Sequence, residues 1–180
     1  MVVEDADTFA GNAVKKAVQL AQWLDEEVRS ARFQLEEESA FVLADDSGLE
    51  VDALQGAPGV HSARFAAPDG ASGNSTDAQN NAKLLRLLEP VPREERTARF
   101  RCVLALVEVR RHPSAGPPPL FEGVCEGRID FHPRGQGGFG YDPLFVPDGF
   151  EQSFAELGEA EKNRMSHRAR ALARLRAFLV

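Results

Sequence analysis

The sequence predicts a mixed α/β fold with a twisted, partly antiparallel central sheet flanked by helices. Two long β-rich segments, 97–109 (TARFRCVLALVEV) and 120–131 (LFEGVCEGRIDF), are joined by one turn, which favours an antiparallel pair. Segments near both ends of the chain carry apolar residues every three or four positions, which is typical of amphipathic helices. A chain of 180 residues can bury a full core, so we expect residues 1–180 to form a single domain.

The first half of the chain predicts two helices and a strand. The helix over residues 8–28 begins at an Asp7 or Thr8 cap, and its apolar positions are Phe9, Ala13, Ala17, Leu20, Leu24 and Val28. The short apolar run Phe41–Ala44 predicts a buried strand. A second helix is expected over 77–89, with Thr76 as its cap and Pro90 at its end.

The second half continues the sheet and ends in helices. Arg134–Asp142 is glycine-rich and irregular, and Leu144–Val146 predicts a short strand. Ser153 and Glu156 have the spacing of a capping box. The last helix is expected to place one set of apolar residues on a single face: Met165, Ala169, Leu172, Leu175 and Leu179. The charged link within 25–40 and the Pro-rich turn 113–119 are predicted to be surface connections.

Composition narrows the class of protein. The net charge of −7 argues against binding of polymeric nucleic acid, which needs a basic face. We expect no membrane span, because no run approaches eighteen apolar residues, and Met1–Asp5 lacks the features of a signal peptide. Cys102 and Cys125 lie in strand-like segments and are not spaced as a zinc site. Reduced core cysteines in a cytoplasmic protein are therefore favoured over a disulfide.

The segment Ala44–Val60 (ADDSGLEVDALQGAPGV) carries the strongest chemical signal. Asp45 and Asp46 follow the apolar run where the strand is expected to end, and strand ends carry the chemistry of α/β sheets. Adjacent carboxylates repel unless a cation lies between them or one is protonated, which points to a metal or general-base site. The alternative is a surface turn, because Asp, Ser and Gly are common turn residues.

Two later segments offer ligand-binding chemistry. The glycines of GGFGYD (137–142) allow close backbone approach, and its rings could stack on a base; the alternative is a turn with Phe139 in the core. Lys162 suits phosphate and Arg168 suits planar contacts, unless both lie on a solvated helix face. On one ideal helix Lys162 and His167 differ by about 140° beyond a full turn. We therefore expect a helix break near 163–166.

Four segments in order resemble the inosine triphosphate pyrophosphatase family, whose members hydrolyse aberrant purine nucleoside triphosphates. They are 44–64 (ADDSGLEVDALQGAPGVHSAR), 80–85 with 96–106 (NNAKLL, RTARFRCVLAL), 137–146 (GGFGYDPLFV) and 154–172 (FAELGEAEKNRMSHRARAL). The resemblance implies hydrolysis of inosine, deoxyinosine and xanthosine triphosphates to a monophosphate and pyrophosphate. It also implies a Mg²⁺ cofactor and a homodimer.

The resemblance assigns roles to particular residues. It implies that Asp46 is the general base and a magnesium ligand, that Glu4 helps to bind the metal, and that Ser47 contacts the substrate. Because Mg²⁺ takes only one or two carboxylates, Asp45 is an alternative to Glu4 as the partner of Asp46. It places Lys162 on the substrate, and His167 with Arg168 near the oxygen at purine position six. The residues implied for the base-binding loop are Phe139, Gly140, Tyr141 and Asp142.

The family's first strand and its Thr/Ser-Gly-Asn-x-x-Lys phosphate loop have no counterpart in this sequence. Gly11–Lys15 (GNAVK) imitates the loop but lies within a predicted helix. We therefore expect exposed apolar side chains beside Phe41–Ala44, where that strand would lie. A non-catalytic nucleotide-binding or dimer-forming remnant remains an alternative to the enzyme. A calcium-binding loop at Asp45–Asp52 is a third hypothesis, although the spacing lacks the ligands of a calcium hand.

Overall fold

A four-stranded antiparallel sheet forms the centre of the part of the chain that the structure describes. The structure is a computed structural model and describes residues 4–30, 40–68, 73–109 and 116–180. The strands lie in the order β1-β2-β3-β4. Their bounds are Ala40–Val51 (β1), Thr97–Val109 (β2), Leu120–Ile129 (β3) and Phe145–Pro147 (β4). The predicted mixed α/β class and the β2–β3 pair are confirmed.

Four α-helices surround this sheet in the described residues. They are Phe9–Ser30 (α1), Asp77–Leu87 (α2), Phe154–Met165 (α3) and His167–Leu179 (α4). Thr76 and Gln79 form a capping box at α2, and Ser153 and Glu156 form the predicted one at α3. Residues 31–39 of the 25–40 link and residues 113–115 of the 113–119 turn lie outside the described residues.

Strand β1 is longer than the sequence predicts. We expected it to end at Ala44, but the ladder with β2 runs from Ala40, opposite Val109, to Val51, opposite Ala98. The prediction failed because β2 has thirteen residues and offers backbone partners along the whole Asp-Asp-Ser-Gly segment. The local turn preference of that segment is overridden by pairing with β2.

The two faces of the sheet are covered by different helices. Val103 and Ala105 of β2 pack with Val42 against α1. Cys102 and Leu104 alternate with them and point to the opposite face, where α4 packs through Ala171 and Leu175. Neighbouring residues of β1 and β2 therefore face two separate compartments.

The last two helices are separated by Ser166, whose extended backbone caps α4. This confirms the predicted break, with Lys162 in the last turn of α3. The single apolar face predicted from Met165 to Leu179 is wrong, because the buried face of α4 repeats every four residues from His167. Ala171 and Leu175 are buried, whereas Leu172 and Leu179 are 49% and 62% exposed.

Apolar side chains are exposed beside the start of β1, as predicted. Phe41 is 53% and Leu43 is 43% exposed. β1 is an edge strand of the described sheet, and α4 packs on β2 and β3. Cys102 and Cys125 are both free and buried. None of the helices in the described residues is long and apolar enough to cross a membrane.

Candidate active site

Strand alternation separates the two adjacent aspartates. Asp46 lies opposite Val103 in the ladder and faces α1, while Asp45 lies opposite Leu104 and faces α4. Asp45 binds Arg168 and Asp46 binds Lys16, so each carboxylate has its own cation. The expectation that the two carboxylates repel each other at the end of a strand is therefore wrong.

Asp46 is the centre of a polar cluster under α1, which we call the Asp46 cluster: Glu4, Asn12, Lys16 and Asp46. Lys16 Nζ lies 2.7 Å from Asp46 Oδ1 and 3.6 Å from Glu4 Oε1. Asn12 donates from Nδ2 to Asp46 Oδ2 at 3.4 Å. Burial raises the pKa of Asp46, and hydrogen bonds from Lys16 and Asn12 together with the charge of Lys16 offset part of that rise.

Asn12 and Lys16 are site residues that the sequence analysis missed. They lie four residues apart on α1 and therefore share a helix face. Asn12 is 1% exposed, and its Oδ1 accepts a hydrogen bond from the Ala6 backbone N–H at 3.0 Å. The sequence signal that could have found them is an Asn followed four positions later by a Lys, which places both polar side chains on one face of a predicted amphipathic helix. The GNAVK segment lies inside α1, in agreement with the prediction that it is not a phosphate loop.

The Asp46 cluster has the donor set of a magnesium site that the substrate would complete. Lys16 already holds a positive charge between Glu4 and Asp46. A search of the described residues finds no group of three or more metal-binding side chains. Magnesium does not require one, because it takes one or two carboxylates and completes its shell with water and substrate phosphates. Glu4 and Asp46 therefore fit this ion.

A pocket of about 220 Å³ lies on the other side of β1. It is lined by eight of the predicted site residues: Ser47, Phe139, Gly140, Tyr141, Asp142, Lys162, His167 and Arg168. Residues that the sequence analysis did not assign also line it, among them Ser62, Asp77, Asn80 and Phe100. The remaining two predicted residues, Glu4 and Asp46, belong to the Asp46 cluster. The two sites meet at β1, because Ser47 and Gly48 follow Asp46 directly.

Gly48 allows the segment Gly59–Arg64 to close one wall of the pocket. A Cβ at this position would lie 2.5 Å from both the Gly59 carbonyl oxygen and Ser62 Oγ. Ser62 Oγ accepts a hydrogen bond from the Leu49 backbone N–H at 2.9 Å. The glycine of the Asp-Asp-Ser-Gly motif is therefore required for close packing within a strand, and not for a turn.

The glycine-rich loop 137–142 is held by contacts from three elements. Asp142 forms an ion pair with Lys162 and accepts a hydrogen bond from the Phe139 N–H at 2.9 Å. From α2, Asp77 Oδ2 accepts the Gly140 N–H at 2.6 Å. The Tyr141 hydroxyl donates to the Ser62 carbonyl at 2.9 Å. The Asp142 carboxylate and the Tyr141 hydroxyl thus stabilise the conformation of the loop, and both residues also line the pocket.

Phe139 lies at the mouth of the pocket between two cations. Its side chain is 60% exposed, which argues against the alternative that it is a core residue. Lys162 Nζ lies 4.6 Å from the ring centre, and the Arg168 guanidinium carbon lies 5.6 Å from it. An exposed ring bordered by cations suits a planar ligand that carries negative charge.

His167 forms the inner wall of the pocket. Its ring stacks on Phe100 at 4.9 Å with an angle of 14° between the planes. Burial, with the positive charges of Arg168 and Lys162, lowers the pKa of His167 to about 3. The imidazole is therefore neutral near pH 7 and donates from one nitrogen only. Its Nδ1 is buried and has no hydrogen-bond partner among the described residues.

Comparison with known proteins identifies the family. The Ham1 family profile matches residues 1–178, and the chain therefore belongs to the Ham1 family. The "dITP/XTP pyrophosphatase" of Opitutus terrae is 53% identical over 174 residues, which cover 97% of this chain and 75% of that protein. The protein of the same name from Geobacillus kaustophilus is 48% identical, with coverage of 97% and 74%.

Solved structures agree with this assignment. The Ham1 protein of Staphylococcus aureus superposes with a TM-score of 0.79 at 34% identity, covering 99% of this chain and 80% of that one. A HAM1 protein from Coxiella burnetii superposes with a TM-score of 0.76 at 40% identity, with coverage of 99% and 79%. The family resemblance inferred from the four sequence segments is confirmed.

Proposed function

We propose that this chain hydrolyses the aberrant purine nucleoside triphosphates dITP, ITP and XTP to a nucleoside monophosphate and pyrophosphate. Relatives at 48–53% identity carry the name dITP/XTP pyrophosphatase, and the chain spans about three quarters of their length. The observation that carries the proposal is the junction at β1. There a carboxylate cluster suited to a metal triphosphate adjoins a pocket suited to a planar base.

The chemistry of the pocket favours a purine with a carbonyl at position six. Arg168 can only donate hydrogen bonds, and neutral His167 donates one. A carbonyl oxygen accepts such bonds, whereas the amino group of adenine would meet Arg168 donor to donor and could pair only with the acceptor nitrogen of neutral His167. A mispaired buried polar group costs about 1–3 kcal/mol, which corresponds to roughly ten- to a hundredfold or more in rate.

The Asp46 cluster supports hydrolysis at the triphosphate. Asp46 is a suitable general base, because burial raises its pKa and so increases its ability to take a proton from water. Lys16 offers a positive charge for the phosphates. Glu4 and Asp46 would hold Mg²⁺, which when bound neutralises phosphate charge and polarises the phosphoryl group.

Three further expectations belong to this proposal. We infer Mg²⁺ dependence from the donor set of Glu4 and Asp46. A homodimer and a cytoplasmic location follow from the family resemblance and from the composition, and they stay predictions.

The products formed from dITP test the proposed function. The purified chain is incubated with dITP and Mg²⁺, and the phosphorus products are resolved by ³¹P NMR. We expect pyrophosphate and deoxyinosine monophosphate in equal amounts, and no formation of either when EDTA replaces Mg²⁺. Release of orthophosphate would indicate cleavage at a different phosphorus and would contradict the proposal. Binding of dITP without turnover would favour the non-catalytic remnant instead.

A further inference from the structure

Asp45 is a charged residue beside the pocket that the proposed mechanism does not use. Its carboxylate accepts two hydrogen bonds from one guanidinium: Arg168 Nε lies 2.8 Å from Oδ2, and Nη2 lies 3.3 Å from Oδ1. This side-by-side arrangement fixes both the position and the plane of the guanidinium. Asp45 itself does not line the pocket, whereas Arg168 does.

The carboxylate of Asp45 is held in turn by the sheet. Ser47 Oγ donates to Asp45 Oδ2 at 3.2 Å, and Cys102 Sγ lies 3.4 Å from the same oxygen. Ser47 lies on β1 and Cys102 lies opposite it on β2, so both neighbours belong to one continuous ladder. A supporting group on a rigid strand can fix a ligand-binding side chain more tightly than one on a loop.

The position of Arg168 creates a need for such support. Arg168 is the second residue of α4, where the helix dipole is positive, and Lys162 shares the Phe139 ring with it. Both effects disfavour a positive charge at this position. The carboxylate of Asp45, 2.8 Å from Arg168 Nε, offsets both effects.

We propose that Asp45 is a positioning residue that sets base preference by holding Arg168 in the plane of the purine. Two of the five N–H groups of Arg168 are used by Asp45, and the other three remain for the ligand. Side chains alternate between the two faces of the sheet along β1, so the two consecutive carboxylates have different roles. Asp46 acts on the triphosphate, and Asp45 acts on the base through Arg168. This inference rests on the proposed function, because it concerns selection among its substrates.

The test is a double-mutant cycle read as the ratio of kcat/KM for dITP to that for dATP. Asp45→Asn keeps the shape of the side chain but cannot accept two hydrogen bonds with full charge. We expect the ratio to fall about tenfold, through a higher KM for dITP with kcat little changed. Arg168→Ala is expected to lower the ratio at least as much, and the double variant no further than Arg168→Ala alone.

Glu122→Gln is the matched control. It removes a carboxylate of similar exposure that pairs with Arg101 on the same sheet, away from the pocket. The control should keep the parental ratio. Thermal unfolding verifies that each variant folds, and Asp45→Ser replaces Asp45→Asn if the latter does not.

The outcomes separate this proposal from the proposed function. If the parent prefers dITP and Asp45→Asn keeps that preference, the positioning role is overturned while the function stands. The positioning role is also overturned if the double variant loses the full effects of Asp45→Asn and Arg168→Ala on the kcat/KM ratio. Asp45 would then act independently of Arg168. A parent without preference for dITP contradicts the base recognition in the proposed function, and this inference with it.

Discussion

At the scale of single residues, the proposed role of each aspartate depends on the face of β1 that its side chain occupies. Asp45 and Asp46 are adjacent in sequence, yet one binds Arg168 of α4 and the other binds Lys16 of α1. The sequence identified both aspartates as chemically important. The family resemblance assigned a role to Asp46 alone, and no role for Asp45 could be inferred because its partner Arg168 is 123 residues away along the chain.

Asp46→Asn should abolish most of the activity and leave the fold intact. The amide keeps the size of the side chain but removes the proton acceptor and the negative charge for a metal. Loss of a general base typically costs about 10²–10⁴-fold in rate. Turnover of dITP at saturating Mg²⁺ measures the loss, and circular dichroism checks the fold.

Asp52→Asn is the control for Asp46→Asn. Like Asp46, Asp52 pairs with a basic side chain, that of Arg99, but it is 43% exposed and lies outside the pocket and the Asp46 cluster. Its replacement should leave turnover close to that of the parent. Near-parental turnover in Asp46→Asn would show that another group activates the water.

His167 should make the stability of the protein depend on pH. Its pKa is about 3 in the folded chain against an ordinary value of 6.5, so below pH 6.5 the unfolded chain binds a proton that the folded chain does not. Stability should therefore fall as the pH drops from about 6.5 towards 3, by at most about 1.4 kcal/mol per pH unit from this group.

The measurement is the free energy of unfolding by urea at several pH values between 4 and 7, in the parent and in His167→Gln. The variant lacks the titrating imidazole, so its stability should fall less steeply with decreasing pH. Equal slopes in the two proteins would mean that His167 is protonated when folded, contrary to the neutral donor inferred here.

At the scale of elements, the approach of α4 to β3 positions the base side of the site. Gly123 of β3 lies directly under the first turn of α4, where a Cβ would stand 1.9 Å from the His167 carbonyl oxygen. His167 and Arg168 both belong to this turn. Gly123 therefore determines how far His167 and Arg168 extend into the pocket.

Gly123→Ala should destabilise the protein and weaken substrate binding together. The clash is with backbone, which cannot turn away as a side chain could, so we expect a loss of about 1–3 kcal/mol or more in unfolding free energy. The shifted helix should also raise KM for dITP. Denaturant unfolding and steady-state kinetics measure the two effects.

Glu126→Ala provides the comparison on the same strand. Its side chain is 50% exposed and pairs with Arg99 on the surface, so its loss should change stability by only about 0.5 kcal/mol. If Gly123→Ala matches this control in stability and KM, the close approach of α4 does not constrain the site.

At the scale of the whole molecule, the sequence predicted the elements better than their junctions. β2 was predicted with its observed bounds because its β-rich run is long, and the capping box at α3 and the Thr76 cap of α2 were predicted from the sequence. The predicted end of β1 was wrong because pairing with β2 decided it. The predicted buried face of α4 was wrong because packing on β2 and β3 decided it. The pocket residues came from family motifs, whereas Asn12, Lys16 and the role of Asp45 required the packing of α1 and α4.

The central claim is that this site selects purines by the group at position six. The most direct test is the ratio of kcat/KM for dITP to that for dATP, measured on the parent chain with Mg²⁺ and with pyrophosphate as the product. The two substrates differ at position six, which carries a carbonyl or an amino group, and at the adjacent N1, which is protonated in hypoxanthine and unprotonated in adenine. We predict a preference for dITP of about tenfold or more. A ratio near one would contradict selection by the group at position six.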